Sequence, residues 1–239
     1  MDKMRLLVWA FAIMVFGGFR MPPVPRSFST IKKELNADSG RISYSLRVDY
    51  PKASVTNAKA IRQWLDAMIR KDSCGLSDDV GEQMRRYELD MSVARYTGRF
   101  VTYRKFSMKY EGGLHGNYSE RFISYDYVHK QEIDYDYLFR DGSEADVVMI
   151  LLEEVQKSPR YKEWNPDVRS EVILKNSKGR LTGKFKLPQP GLSKEGVIFS
   201  FQPYSISCFA AGVFHFTIPY KRLAPFLTDK TKWCLKLKQ

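Results

Sequence analysis

Three cysteines among 239 residues are too few for a disulfide framework and allow one bridge at most. Cys74 lies in a turn-like Asp-Ser-Cys-Gly stretch, Cys208 between strand-like segments and Cys234 near the C-terminus. Their placement selects no pairing. No Cys-x-x-Cys or Cys/His spacing is present, and the three histidines, His115, His129 and His215, share no ligand spacing, so no metal is expected, nor any cofactor. Internal repeats and low-complexity tracts are missing too. Long apolar runs are scarce, and 239 residues leave no room for two full-sized catalytic domains. The 44% hydrophobic and 14% aromatic content excludes intrinsic disorder. Acidic residues are the minority, 27 Asp and Glu against 39 Lys and Arg, for a formal net charge of +12. That surplus suits an anionic neighbour or serves solubility alone, and no nucleic-acid partner is expected.

The one long apolar run, Leu6 to Phe19, follows a short basic start with Lys3 and Arg5, the layout of a secretory signal peptide. A permanent span needs about 20 apolar residues, so residues 1–22 are read as a signal peptide. No stable membrane span is expected after its cleavage. No cysteine follows the run for a lipid to modify, and the expected location is the periplasm or the exterior. The cut falls near Gly17 to Arg26, or the segment stays as an anchor. Removing residues 1–20 leaves a charge of about +10, so the basic balance belongs to the mature chain.

Arg41 to Tyr50 alternates apolar and polar residues as a half-buried strand does. Asn57 then opens a helix that carries Ala58, Ile61, Leu65, Met68 and Ile69 on one face. Tyr87 to Tyr110 reads as extended, with Gly98 as a bend or bulge. Gly112-Gly113-Leu114-His115-Gly116 forms a turn, and Arg121 to Val128 is a strand with a hairpin tip at His129-Lys130. Ser143 and Asp146 suit a capping box before a helix with Val147, Val148, Ile150, Leu151, Leu152 and Val155 inside. Residues 158–195 are polar and turn-rich, with room for a short helix. Val197 to Phe201, Val213 to Ile218 and Lys232 to Lys238 close the chain as strands. About eight strands with only two clear helices predict an α+β fold, an antiparallel sheet with helices packed on one face, in two small subdomains.

The second half carries a series of segments that recur together: Gly112-Gly113-Leu114-His115-Gly116, Asp136-Tyr137-Leu138-Phe139, Gly196 to Tyr204 including Pro203, Ala211-Gly212, and Ile218-Pro219-Tyr220 with Leu223. In this it resembles the extracellular domain of unknown function at the C-terminus of RsiV-type lysozyme-sensing anti-sigma factors and PdaC-type peptidoglycan deacetylases. The same domain occurs alone in exported proteins of Bacteroidetes. The resemblance covers residues 106–228, with residues 27–105 as its usual smaller α+β partner and residues 229–239 as a basic C-terminal strand or tail. It implies an extracellular recognition module. Nothing here resembles the metal-binding deacetylase domain, and the apolar run follows only five residues, which leaves no sigma-binding segment before it.

No catalytic constellation is recognisable, so the expectation is a non-catalytic envelope protein that binds an anionic glycan, peptidoglycan or an envelope protein. The candidate ligand residues are His115, Asn117, Tyr118, Tyr125, Tyr127 and Tyr204, because tyrosine offers a flat apolar face and a polar tip. Gly112, Gly113, Gly116, Pro203, Gly212, Pro219 and Tyr220 are expected to hold shape. The first alternative is a hydrolase of peptidoglycan or glycan using His115 and a nearby carboxylate, with Glu111, Glu120 and Asp126 nearest in sequence. The second is a sensor or inhibitor of lysozyme-like enzymes. Because animal lysozymes are basic, a partner of about +10 repels them at long range.

Overall fold

The computed structural model describes residues 24–37, 42–73, 85–164 and 187–236. Its first half is a six-stranded sheet in chain order: β1 (Phe28–Ala37), β2 (Ile42–Pro51), β3 (Arg85–Tyr96), β4 (Phe100–Tyr110), β5 (Asn117–Asp126) and β6 (Gln131–Ile133). Helix α1 (Ala58–Ser73) joins β2 to the segment before β3. As the periodicity requires, Ile61 and Leu65 are fully buried. Asn57 precedes the helix at φ 59°, a conformation asparagine tolerates better than most residues, and its carbonyl accepts the Ile61 N–H at 3.1 Å.

The sheet departs from the expected all-antiparallel pattern at one ladder, since β2 and β3 run parallel. A helix between two strands carries the chain back to the end where the first strand began, and the next strand then enters in the same direction. β1 was not expected, because Phe28–Ala37 holds few apolar residues; β2 recruits it through ten paired positions. Gly98 sits in the bend joining β3 to β4, as one of the two expected forms, and a separate register shift lies between Val93 and Arg95.

A second, antiparallel sheet combines β7 (Pro190–Leu192), β8 (Gly196–Phe201) and β9 (Phe214–Pro219). Alternation along β4 and β5 explains how the layers stack. Val101, Tyr103, Ile123 and Tyr125 point toward α1 and join one core, whereas Thr102 and Ser124 share a 2.8 Å hydrogen bond on the opposite face. There the Leu192 N–H donates to Ser124 Oγ at 2.9 Å. A Cβ on Gly191 would come 2.3 Å from the Phe122 Cβ, so glycine is what lets β7 lie directly on β5. Residues 105 and 106, the expected subdomain boundary, fall inside β4, which pairs with β3 on one side and β5 on the other.

The remaining helices serve the second core: α2 (Tyr135–Leu138), α3 (Glu144–Lys157), α4 (Pro159–Trp164), α5 (Tyr220–Leu223) and α6 (Asp229–Leu235). Helices therefore do not all cover one face of one sheet, since α1 packs on the large sheet and α3 against β9. Val147, Val148, Leu151, Leu152 and Val155 of α3 are buried as expected. The capping box is not formed, because the Ser143 hydroxyl donates back to the Arg140 carbonyl at 2.6 Å. The expected strand at the C-terminus is helix α6. Thr228 caps it, its hydroxyl accepting the Thr231 N–H at 3.1 Å, and Thr231 and Cys234, three apart, turn inward together. That helical spacing outweighs the alternation of Trp233 and Leu235 with lysines.

Candidate functional site

Three of the six tyrosine, histidine and asparagine candidates meet around a residue that sequence reasoning did not single out, Phe209. In the β4–β5 turn, Gly112 and Gly113 take φ 93° and 97°, values open to glycine, and swing Leu114 and His115 outward. His115 stacks on Phe209 with ring centroids 4.0 Å apart. Tyr118 meets the same ring edge-on at 5.4 Å, and Tyr204 lies 5.5 Å from it. Phe106 continues the cluster behind Tyr118 at 6.2 Å. Gly212, at φ 74°, ends the short helical turn Phe209–Ala211, and Arg160 anchors that turn by donating to the Ala211 and Val213 carbonyls. Leu114 and Tyr204 are exposed at the edges of this aromatic platform.

Tyr204 is held there against its conformational preference. Ser205 N–H donates to the Gln202 carbonyl at 3.0 Å, closing a turn with Pro203 second and Tyr204 third. Tyr204 has φ 67°, the sign that type II turns demand at the third position, where glycine or asparagine is usual. A bulky side chain in that region costs about 1–3 kcal/mol. The turn is fixed from outside by Gln202, whose amide accepts from the Glu120 N–H and donates to the Glu120 carbonyl, both at 2.9 Å.

Beneath the platform, Glu120 joins the two sheets. Its carboxylate receives Arg104 of β4, and His215 Nε2 of β9 at 2.9 Å. His215 Nδ1 in turn lies 2.9 Å from Ser200 Oγ of β8. Burial by itself would raise the Glu120 pKa, but the hydrogen bonds from His215 and Arg104 outweigh it and hold the group at about 2. Glu120 is thus a permanent anion compensating a buried guanidinium. Glu120 is paired with His215, not with His115, whose ring is exposed and contacts the Gly116 carbonyl at 3.3 Å. Ser200 is 3% exposed and does not line the nearby 260 Å³ cavity between the sheets, whose walls include Arg95, Arg104, Phe122 and Thr217.

The other candidates fall elsewhere. Tyr125 and Tyr127 are buried in the α1 core, a correction to their expected place on a ligand face: Tyr125 stacks on Trp64 at 4.8 Å, and the Tyr127 hydroxyl donates to the Thr97 carbonyl. Asn117 lies one residue from Tyr118 and so points to the other face of β5, although both residues border a 360 Å³ groove at the end of the sheet with Tyr87 and Lys109. Gly116 sits just before β5 and Pro219 ends β9. Tyr220 donates to the Ser193 carbonyl at 2.6 Å and accepts from Arg95 at 3.1 Å. Asp126 is fully buried and accepts from Tyr137 Oη and the Val128 and His129 amides, with His129 Nδ1 at 2.6 Å. Among the described residues no group of three or more His, Cys, Asp or Glu side chains is placed to hold a metal.

Cys208 and Cys234 are both free thiols, the first exposed and the second buried. Burial pushes the Cys234 pKa up to about 11, a rise that the Tyr137 hydroxyl only partly offsets. Since the thiolate is the nucleophile, iodoacetamide at pH 8 followed by peptide mapping should modify Cys208 in the native protein and Cys234 only after denaturation. Cys74, like the expected signal peptide, lies outside the described residues.

The molecule is an α+β protein in which a small antiparallel sheet is docked on a large mixed one, with an aromatic platform at their junction. Residues 136–221 match the family model DUF3298, described as a protein of unknown function. That span includes Tyr204 and Phe209 but not His115 or Tyr118. The structure resembles a crystal structure of a DUF3298 family protein from Pseudomonas aeruginosa PAO1, with TM-score 0.55 and 15% identity over 88% of this chain and 97% of that one. A second, from Bacteroides fragilis NCTC 9343, has TM-score 0.55 and 16% identity over 89% and 98%. The shared fold therefore extends well beyond the matched segment, into the six-stranded sheet. No curated protein matches the sequence.

Proposed function

We propose that the protein is an exported, non-catalytic component of the cell envelope that binds a cell-wall or surface glycan, or an envelope protein, on the platform around Phe209. One observation carries the reading: Tyr204 is 66% exposed while held at φ 67°, so a strained turn presents an aromatic ring to solvent beside the His115–Phe209 stack. Strain maintained at a surface aromatic points to use of that ring. Rings of this kind stack on the apolar faces of sugars, and the phenol and imidazole supply hydrogen bonds to hydroxyls. Export rests on the composition of residues 1–22, and the envelope setting on the resemblance to RsiV-type and PdaC-type domains. The basic charge favours anionic glycans over lysozyme-like partners.

The protein without residues 1–26 should be retained on purified peptidoglycan or an anionic glycan at low salt, and partly at high salt, where screening removes the lysine contribution but not stacking. Capture by lysozyme instead would favour the sensor or inhibitor reading, and no capture on any of these baits would remove the binding proposal. The hydrolase reading finds its support in the row Ser200–His215–Glu120. Labelling of Ser200 by a fluorophosphonate probe would favour it; the burial of that hydroxyl argues that it stays unlabelled.

A further inference from the structure

β1 is the outer strand of the large sheet among the described residues, so one row of its backbone N–H and C=O groups faces away from β2. Its residues 29–36 are all exposed, including Ile31 at 39% and Leu35 at 65%. Both lie on the α1 face, where Ile31 is opposite Val48 and Leu35 opposite Tyr44. The apolar surface that α1 covers over β2 therefore runs on, uncovered, across β1. On the other face Lys32 sits directly opposite Arg47. Arg47 has its anion in Asp90 at 2.7 Å, whereas Lys32 pairs with no carboxylate among the described residues.

We propose that a second copy of this chain pairs with β1, antiparallel and about a twofold axis at Lys33, extending the sheet across both molecules. The occupant follows from the strand's own order of residues. In this register Ile31 meets the partner's Leu35 and Leu35 the partner's Ile31, on one face. On the other, Lys32 meets the partner's Glu34 and Glu34 the partner's Lys32. The row Asp90–Arg47–Lys32 then ends in a carboxylate, so each of its two cations has an anion beside it. A shift of one residue in either direction would place Ile31 opposite a polar residue, Glu34 or Asn36, and separate Lys32 from Glu34, so both pairings are lost. The contact is isologous, as twofold dimers require. Its one unfavourable feature is Lys33 facing the partner's Lys33 at the axis, which limits affinity and keeps the edge from recruiting strands indiscriminately.

The test is sedimentation velocity of the full chain over a wide concentration range. A dimer that dissociates on dilution is expected. Lys32→Glu and Glu34→Lys should each weaken it about tenfold or more, because each replaces two attractive cross-strand pairs with two repulsive ones. The double variant Lys32→Glu/Glu34→Lys should restore wild-type association, and Lys33→Thr should tighten it. All three positions are exposed, so the four variants should keep the wild-type circular dichroism. A monomer at every concentration overturns the proposal. So does a dimer that both single reversals leave unchanged, as would follow from pairing elsewhere on the surface.

Discussion

Glu120→Ala should lower the unfolding free energy by about 3–5 kcal/mol through the loss of one partner of a buried ion pair. The Arg104 side chain is only 7% exposed, so alanine leaves its charge buried with no carboxylate against it, and leaves His215 Nε2 without its acceptor. For a chain of this size each kcal/mol moves the melting temperature by about 2–4 °C, and a calorimetric scan should show a drop of about 6 °C or more. The same carboxylate gives the wild type a pH dependence of known sign. Its folded pKa of about 2 lies below the ordinary value of 4.5, so its contribution is complete above about pH 4.5 and is lost as the pH falls toward 2. Glu120→Gln should flatten that limb of the stability curve. An alanine variant that melts within 2 °C of wild type would show that the two sheets dock without this tie.

Tyr204→Gly should separate binding from folding. Glycine is at ease at φ 67°, so the substitution relieves the strain at the turn, while the freer unfolded chain offsets about 0.5–1 kcal/mol of that gain. Stability should stay within about 1 kcal/mol of wild type. Affinity for the glycan or protein that the platform takes should fall by about tenfold or more, the scale of an exposed aromatic anchor. Isothermal titration beside a melting curve separates the two effects. Unchanged affinity would move the binding surface away from Phe209, and a melting temperature lower by 10 °C or more would make Tyr204 a structural residue.

Period-two alternation located β2 and β5, whereas β8 and β9 were legible as short apolar runs, β8 being buried along its whole length. It failed for β1, where Lys32, Lys33 and Glu34 leave too little apolar signal and ten ladder positions with β2 decide instead. It misled at Trp233 and Leu235, where a threonine cap and the inward pair Thr231 and Cys234 make a helix. The parallel ladder of β2 and β3 was implicit in the helix between them, but not in any strand. At the site, His115, Tyr118 and Tyr204 were legible as exposed-type residues beside turns, while Phe209 gave no sign of being their meeting point. The row through Glu120 had a faint signal: Ser200 lies between Phe199 and Phe201, and His215 between Phe214 and Phe216. Such lone polar residues face a second layer, and only the docked sheets show which carboxylate awaits them, 95 residues away in the case of His215.

The platform is assembled from two stretches of chain, His115 and Tyr118 on one side and Tyr204 and Phe209 on the other. Linear peptides spanning either stretch should therefore fail to compete for the ligand. Occupancy is also coupled to the docking of the small sheet on the large one: a ligand present at 100 times its dissociation constant would stabilise the native state by about 2.7 kcal/mol. A thermal-shift screen of soluble wall fragments thus reads binding directly as a rise in melting temperature, without an assay for any activity.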